Sequence, residues 1–264
     1  MPVDMAEHLS AQGEYTNITY FGACTPKFSL PTSDENIETE PFTQAARQIL
    51  PFLEKLGTAF TFVRNDVLGN IEKIERRFYK DPTRYHFIRA ILEEDAGKKM
   101  SEGCVGLLWL MRGLMFVHRL FFELIEDHRN GVTSDDIGPA IRRAYDASLR
   151  AYHGWLMQKT ISGITRILPG RKEFLRRLFL HNSATVDNHR VKLKVYGGGV
   201  EEGNDKGTKT TKEIWIKIDL IYVVSILTFQ VVKDIQLYDV NLWATLQLME
   251  KQINYYGRNE DEKA

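Results

Sequence analysis

The chain contains 264 residues, in which 35 lysines and arginines balance 35 aspartates and glutamates. Hydrophobic residues make up 43% and charged residues 27% of the sequence, which is ordinary for a globular protein and argues against a disordered chain. The neutral total disfavours a nucleic-acid partner, because binding to phosphates needs a basic surplus. Two cysteines are too few for a disulfide framework, and the N-terminus lacks the apolar core of a signal peptide, so we expect a cytoplasmic protein.

The charges are unevenly distributed along the chain. Residues 1–40 contain seven acids and one lysine, a balance of −6, whereas residues 171–212 contain ten bases and five acids, a balance of +5. Solvated tails and loops are the plain explanation. The alternative is a basic patch that faces an anionic membrane, where each basic side chain contributes about 1 kcal/mol.

In chain order, residues 1–40 lack apolar periodicity, which predicts an extended or disordered acidic leader. Apolar residues then recur at helical spacing, which predicts one all-α domain over residues 41–257, followed by a charged tail over 258–264. Helices are predicted to start near Pro41 and Pro51 and to cover residues 61–80, 82–99, 102–127, 137–167, 172–180 and 233–255. The apolar residues of 137–167 do not form one stripe, which predicts that this helix is bent or covered on two sides.

Three polar residues share one face of the predicted helix 61–80. Asp66, Asn70 and Lys73 stand at positions i, i+4 and i+7. A carboxylate, an amide and an ammonium group donate and accept hydrogen bonds in several directions, a set that suits a sugar or an amide. A solvated helix face with an Asp66–Asn70 contact is the plainer alternative, and spacing alone favours it.

Four further residues stand out in apolar surroundings. Trp109 is either a core residue or a flat platform for a sugar ring, and Arg112 one turn later could neutralise a neighbouring helix or a lipid headgroup. His153 is either structural or ligand-binding. Trp155, beside a glycine, is either buried or an anchor at a membrane interface.

Signatures of catalysis are weak. The sequence contains no zinc-type cysteine and histidine pattern, no nucleophile elbow and no HExxH motif. The glycine-rich stretch at 197–199 is not followed by the lysine of a phosphate-binding loop. We therefore expect a protein that is not an enzyme and needs no metal or cofactor.

Four strings taken together resemble the glycolipid transfer protein family: DVLGNIEKI (66–74), LLWLMRGLMFV (107–117), AYDASLRAYHGWLMQK (144–159) and INYY (253–256). The resemblance is good over residues 41–183 and weak over 232–257. It implies a two-layer, all-α helical sandwich that encloses a collapsible apolar pocket for the chains of a sphingolipid, with a sugar-binding site at the surface.

The resemblance implies a headgroup site made of five residues together with a C-terminal tyrosine. Asp66, Asn70 and Lys73 would hydrogen-bond the sugar, and Asp66 would also meet the ceramide amide N–H. Trp109 would stack on the sugar ring, and His153 would bond the amide carbonyl. Relatives that carry ceramide-1-phosphate have an arginine in place of this tryptophan, so its presence favours a neutral sugar over a phosphate.

Residues outside that group complete the implied lipid carrier. Tyr255 matches a tyrosine that closes the headgroup site, and Trp155 matches a tryptophan that docks on membranes. The lipid-chain pocket would be lined by Phe52, Phe60, Val63, Val105, Ile161 and Phe174.

The chain departs from the family in its longer leader and in an atypical insert near residues 187–230. The insert includes residues 214–232, which are rich in β-branched side chains and are predicted to form a strand. A long structureless segment inside a domain is unusual, which leads to the hypothesis that the insert is a translated intron or gene-model error.

The sequence thus predicts a non-enzymatic carrier, a monomer that moves glycosphingolipids such as glucosylceramide or galactosylceramide between membranes and contacts each membrane transiently. One alternative is a glycosphingolipid sensor or adaptor that acts through a protein partner. Others are a carrier of ceramide-1-phosphate and a glycolipid hydrolase.

Overall fold

A computed structural model describes residues 19–30, 35–95, 99–180 and 209–257, with side chains of the last segment from residue 228 onward. This described part is helical, as predicted. Its α-helices, in chain order, are α1 Tyr20–Ala23, α2 Thr39–Arg47, α3 Ile49–Lys55, α4 Thr61–Phe78, α5 Ile88–Glu94, α6 Glu102–Arg129, α7 Gly138–Asp146, α8 Trp155–Ile164, α9 Arg171–Arg177 and α10 Lys209–Tyr255, and short 3₁₀ turns cover Thr58–Phe60 and Arg150–Tyr152.

Helix α6 is the central element of the fold. The Ser101 side chain caps its N-terminus by accepting a hydrogen bond from the Cys104 N–H at 3.4 Å. The helix packs against α4, α5, α7 and α10. The helix is long and apolar enough to cross a membrane, but most of its apolar stretch is buried inside the fold. It is therefore a core helix, as the sequence predicts.

Helix α4 approaches α6 closely at one glycine. A Cβ atom added to Gly106 would lie 2.8 Å from the Asn70 carbonyl oxygen and 2.9 Å from the Cβ of Lys73. Farther along α6, a Cβ added to Gly113 would lie 3.7 Å from Val67, which is ordinary van der Waals contact. The absence of a side chain at Gly106 thus lets the backbone of α4 pass at the turn that bears Asn70 and Lys73.

The prediction of an extended or disordered leader is wrong for the described residues of 1–40. Helix α1 and the segment after it pack into the core, where the Phe21 ring lies 5.2 Å from Phe52 and 4.9 Å from Tyr238. Thr19 adds a buried 2.6 Å hydrogen bond from its hydroxyl to Asp234 of α10. Residues 19–30 contain one short helix and little other regular structure, and burial of their aromatic side chains stabilises them against the core. Residues 1–18 and 31–34 of the leader lie outside the described residues.

The single helix predicted over 137–167 is two helices with a 3₁₀ turn between them. Helix α7 ends at Asp146, and the backbone of His153 is extended. Gly154 is the N-cap of α8. This break explains why the apolar residues of 137–167 do not form one stripe.

The predicted strand over 214–232 is also wrong, because these residues belong to the 47-residue helix α10. At about 1.5 Å per residue, this helix is about 70 Å long. Branched side chains lower helix propensity only slightly, so continuity with the buried C-terminal half outweighs the local pattern. Residues 181–208 and the predicted tail 258–264 lie outside the described residues, and the proposed origin of the insert stays a prediction.

The close contact at Gly106 predicts opposite effects for two glycine substitutions. Gly106→Ala should lower the free energy of unfolding by about 1–3 kcal/mol, because the new methyl group meets backbone. Gly69→Ala on α4 meets no atom within 4 Å and should raise it by about 0.5–1 kcal/mol through helix propensity. Urea unfolding followed by circular dichroism measures both. Equal stability of the two variants would contradict the assigned contact.

Candidate functional site

The three polar residues predicted on α4 form a connected row. The side-chain amide N–H of Asn70 donates to the Asp66 carboxylate at 3.3 Å, and the Lys73 ammonium donates to the side-chain oxygen Oδ1 of Asn70 at 3.0 Å. Asn70 is only 2% exposed, whereas Asp66 stands at the exposed end of the row. The row contains the Asp66–Asn70 contact that the plainer alternative expects, and it also buries the Asn70 amide, so a ligand-binding role of the row stays a prediction.

The electrostatics of the row centre on Asp66. Protein atoms packed around its carboxyl group remove water and raise the pKa, and the nearby Lys73 ammonium lowers it and so offsets part of the rise. The carboxylate therefore gains from any donor that reaches it from a ligand.

Aromatic groups and a buried cation form a second part of the site. The Arg112 guanidinium carbon lies 4.8 Å from the centre of the Trp109 ring and 3.8 Å from the centre of the Tyr152 ring. Arg112 is only 2% exposed, whereas Trp109 is partly exposed. The Trp109 and His153 rings lie nearly parallel, with 18° between their planes and 6.0 Å between their centres. The structure thus brings Trp109 and His153 together, and their ligand-binding roles stay predictions.

His153 is held from two further sides. Its Nδ1 lies 3.2 Å from the Tyr145 hydroxyl, and its backbone carbonyl accepts from the Gln158 side chain at 2.8 Å. Burial lowers the pKa of the imidazole, and the Arg112 cation lowers it further. The ring is therefore neutral at physiological pH and keeps one N–H donor.

The polar row and the aromatic group meet where α4 packs on α6. Gly106 and Gly113 both face α4, through Asn70 and Val67 respectively. Trp109 lies three residues after the first glycine and four before the second, which places it on the same face of α6. The site therefore combines a row of hydrogen-bonding groups with a partly exposed aromatic plane.

Five of the six predicted chain-pocket residues belong to the apolar core or pack against it, and Val105 is the exception. Phe52, Phe60 and Phe174 are buried, and their rings pack on aromatic neighbours, with 6.0 Å between Phe52 and Phe174. Ile161 is also buried, and Val63 and Val105 are partly exposed.

The start of α8 carries an exposed apolar surface. Trp155 and Leu156 are each 72% exposed, and the Lys159 ammonium lies 5.6 Å from the Trp155 ring centre. A cleft of about 290 Å³ opens beside this surface and is lined by Arg142, Tyr145, Asp146, Arg150, Trp155, Gln158, Lys159, Ile161 and Ser162. The sequence left Trp155 open between a core and an interfacial position, and the structure places it at the surface.

Tyr255 lies at the C-terminal end of α10 and is 81% exposed. Its ring packs edge-on against Tyr256, whose hydroxyl donates to Glu93 of α5 at 2.7 Å. This end of the helix is therefore anchored on α5. Closure of the headgroup site by Tyr255 stays a prediction.

Sequence reasoning missed several groups that position the site. Tyr145 contacts His153, and Tyr152 contacts Arg112 of α6. Both contacts depend on the break between α7 and α8, so a prediction of a helix over 137–167 cannot show them. Gly106 had no sequence signal, because its effect depends on which helix lies against it. Among the described residues, no three histidine, cysteine or acidic side chains gather as a possible metal site.

Comparison with known proteins identifies a matching family model and related sequences. The family model described as glycolipid transfer protein matches residues 37–180. Glycolipid transfer protein of Danio rerio is 33% identical over 152 residues, which cover 55% of this chain and 73% of the relative. Glycolipid transfer protein 1 of Arabidopsis thaliana is 32% identical over 164 residues, which cover 60% of this chain and 78% of the relative.

Solved structures share the fold. A structure of FAPP2, described as selecting simple glycosphingolipids with the GLTP-fold, aligns over 93% of this chain and 100% of its own, with a TM-score of 0.66 and 23% identity. Human ceramide-1-phosphate transfer protein with bound 12:0 ceramide-1-phosphate aligns over 92% of this chain and 96% of its own, with a TM-score of 0.60 and 18% identity. These alignments confirm the predicted all-α fold.

The family model covers more than half of the chain, and two relatives exceed 30% identity over most of their own length. The chain therefore belongs to the glycolipid transfer protein family, whose members are lipid transfer proteins.

Proposed function

We propose that this protein transfers glycosphingolipids between membranes without chemical conversion of the lipid. The observation that carries the proposal is the polar row of Asp66, Asn70 and Lys73 beside the partly exposed Trp109. A glycosphingolipid has a matching division, with hydroxyl groups and one amide at the headgroup and two apolar chains behind it.

The polar row would bind the headgroup. Asp66 would accept hydrogen bonds from a sugar hydroxyl and from the ceramide amide N–H, and Asn70 and Lys73 would bond further hydroxyl groups. Each polar group of the lipid that entered the site without a partner would cost about 1–3 kcal/mol. Trp109 would offer its plane to the apolar face of the sugar ring. Selection between headgroups therefore depends on these residues.

His153 would bond the ceramide amide carbonyl. With the Tyr145 hydroxyl as donor to Nδ1, the single proton of the neutral ring is on Nε2, which can donate to a carbonyl oxygen. The lowered pKa supports this neutral form. The same ring would thus be oriented by Tyr145 on one side and bind ligand on the other.

The apolar core would receive the two chains. Burial of apolar surface contributes about 25 cal/mol per Å², so a chain in the core replaces the membrane as an apolar environment. Entry requires aromatic neighbours such as Phe60 and Phe116, whose ring centres are 6.5 Å apart, to separate and repack. This gain is similar for many chains, so the core confers little choice between lipids.

Docking would use the exposed surface of α8. Trp155 and Leu156 suit the membrane interface, and Lys159 and Arg150 nearby suit an anionic surface. We propose that the protein acts as a cytoplasmic monomer, that its membrane contact is transient, and that Tyr255 covers the bound headgroup.

Vesicle transfer of fluorescent galactosylceramide tests the proposal. Trp109→Ala and Asp66→Val should each lower the transfer rate at least tenfold, because the loss of one stacking or charged hydrogen-bonding group costs about 1.4 kcal/mol or more. Tyr79→Ala is the matched control, since it removes an exposed aromatic ring on the turn that ends α4.

Three results would contradict this proposal in different ways. Unchanged transfer by both site variants would reject the site assignment. Preference for ceramide-1-phosphate would reject the neutral headgroup. Tight binding of galactosylceramide with negligible transfer would favour the sensor or adaptor instead of the carrier.

The pKa shifts predict weaker binding in acid. Asp66 protonates above its ordinary pKa of 3.8 and then loses its acceptor strength, and His153 protonates below its ordinary 6.5 and places a second cation near Arg112. Galactosylceramide affinity should thus be constant near neutral pH and fall as the pH drops below about 6.5. Measuring the affinity by tryptophan fluorescence across this pH range checks the prediction. Asp66→Asn should remove the part of the pH dependence that comes from protonation of Asp66. Tighter binding in acid would contradict the assigned protonation states.

The docking surface predicts different results for two exposed leucines. Leu156→Ala should weaken binding to anionic vesicles severalfold, because each apolar side chain inserted into the interface contributes about 1 kcal/mol. Leu237→Ala on α10 is a matched control, since Leu237 is 65% exposed on another helix. Vesicle sedimentation measures both variants. A larger effect of the Leu237 substitution would move the docking surface to α10.

A further inference from the structure

We infer that Arg112 is a positioning residue, whose guanidinium group packs between Trp109 and Tyr152 and fixes the plane of Trp109 relative to His153. Its effect on lipid binding rests on the function proposed above. Its effect on the two aromatic rings is a property of the ligand-free protein and can be measured there.

The contacts of Arg112 join two separate elements. Arg112 and Trp109 are one turn apart on α6, whereas Tyr152 belongs to the 3₁₀ turn that follows α7. The guanidinium carbon lies within 5 Å of both ring centres, at 4.8 Å and 3.8 Å. A planar, delocalised cation suits this arrangement, because it can stack on an aromatic face and donate hydrogen bonds from its edges.

The second contact positions His153 through the backbone. Tyr152 directly precedes His153, so holding the tyrosine ring restrains the chain that carries the imidazole. The nearly parallel Trp109 and His153 rings are the result of this restraint. Both ends of the predicted amide and sugar site therefore depend on one buried side chain.

The charge of Arg112 has an additional effect. In the described part of the chain, two titratable groups interact with His153. The Tyr145 hydroxyl contacts its Nδ1, and the Arg112 cation disfavours protonation of the ring. A residue that served only to fill the core would change stability when replaced, but it would not change the His153 pKa.

Two substitutions separate the plane from the charge. Arg112→Lys keeps the cation and loses the planar group, and Arg112→Met keeps an apolar chain of similar length and loses both. Arg119→Met is the control, because Arg119 lies two turns farther along α6 and is also partly buried. Nuclear magnetic resonance of the ligand-free proteins gives the His153 pKa and the shifts of the Trp109 ring protons.

The expected results differ between the variants. Arg112→Met should raise the His153 pKa and shift the Trp109 signals, whereas Arg112→Lys should shift the Trp109 signals and keep the pKa low. Arg119→Met should do neither. Unchanged His153 and Trp109 signals in a folded Arg112→Met protein would overturn the inference. Should that variant not fold, Tyr152→Leu removes the other ring, and unchanged Trp109 and His153 signals there would overturn it equally.

Binding provides the functional readout. Arg112→Met should weaken galactosylceramide binding about tenfold, the change expected for loss of a desolvated cation–π contact, and Arg112→Lys should recover part of it. A wild-type protein that binds no glycolipid would contradict the proposed function, and the ligand-free spectra would still decide the role of Arg112. Wild-type affinity in Arg112→Met would overturn the inference.

Discussion

The close approach of α4 and α6 at Gly106 is the constraint on which the site depends. It brings the backbone of one helix against the other at Asn70, whose side chain is buried there. An amide buried there must have partners, because an unpaired one costs about 1–3 kcal/mol. Asp66 and Lys73 supply those partners from the same helix, so helix packing and the polar row form one arrangement.

Burial disfavours the charged forms of both Asp66 and His153, so it shifts their pKa values in opposite directions. The raised pKa of Asp66 means that stability is present below the ordinary 3.8 and is lost as the pH rises through the higher folded value. The lowered pKa of His153 means that stability is present above 6.5 and is lost as the pH falls through the lower folded value. At neutral pH the ionised Asp66 therefore lacks part of its solvation, and hydrogen bonds from a ligand would offset that loss. The protein is poised to bind donors at Asp66.

The sequence predicted the helices that have strong periodicity and the side chains that share one helix face. The shared face of Asp66, Asn70 and Lys73 is confirmed, because three positions on one helix share a face whatever the rest of the fold does, and their ligand-binding role stays a prediction. The strand predicted over 214–232 was wrong, because a local alternation of branched residues cannot show that they continue a longer helix. Gly106 and Tyr152 could not be found, since their roles depend on contacts between distant elements.

The break between α7 and α8 places the proposed docking surface close along the chain to the proposed amide-binding histidine. His153 lies at the end of the 3₁₀ turn, and Trp155 follows two residues later as the first residue of α8. The Gln158 side chain donates to the His153 carbonyl and ties the first turn of α8 to the same point. In the proposed docking, Trp155 at the membrane surface would lie two residues along the chain from the imidazole that would bind the lipid amide. A continuous helix over 137–167 would have placed these two side chains on one helical rod, whereas the extended backbone at His153 ends the 3₁₀ turn and lets α8 begin as a separate helix at the site.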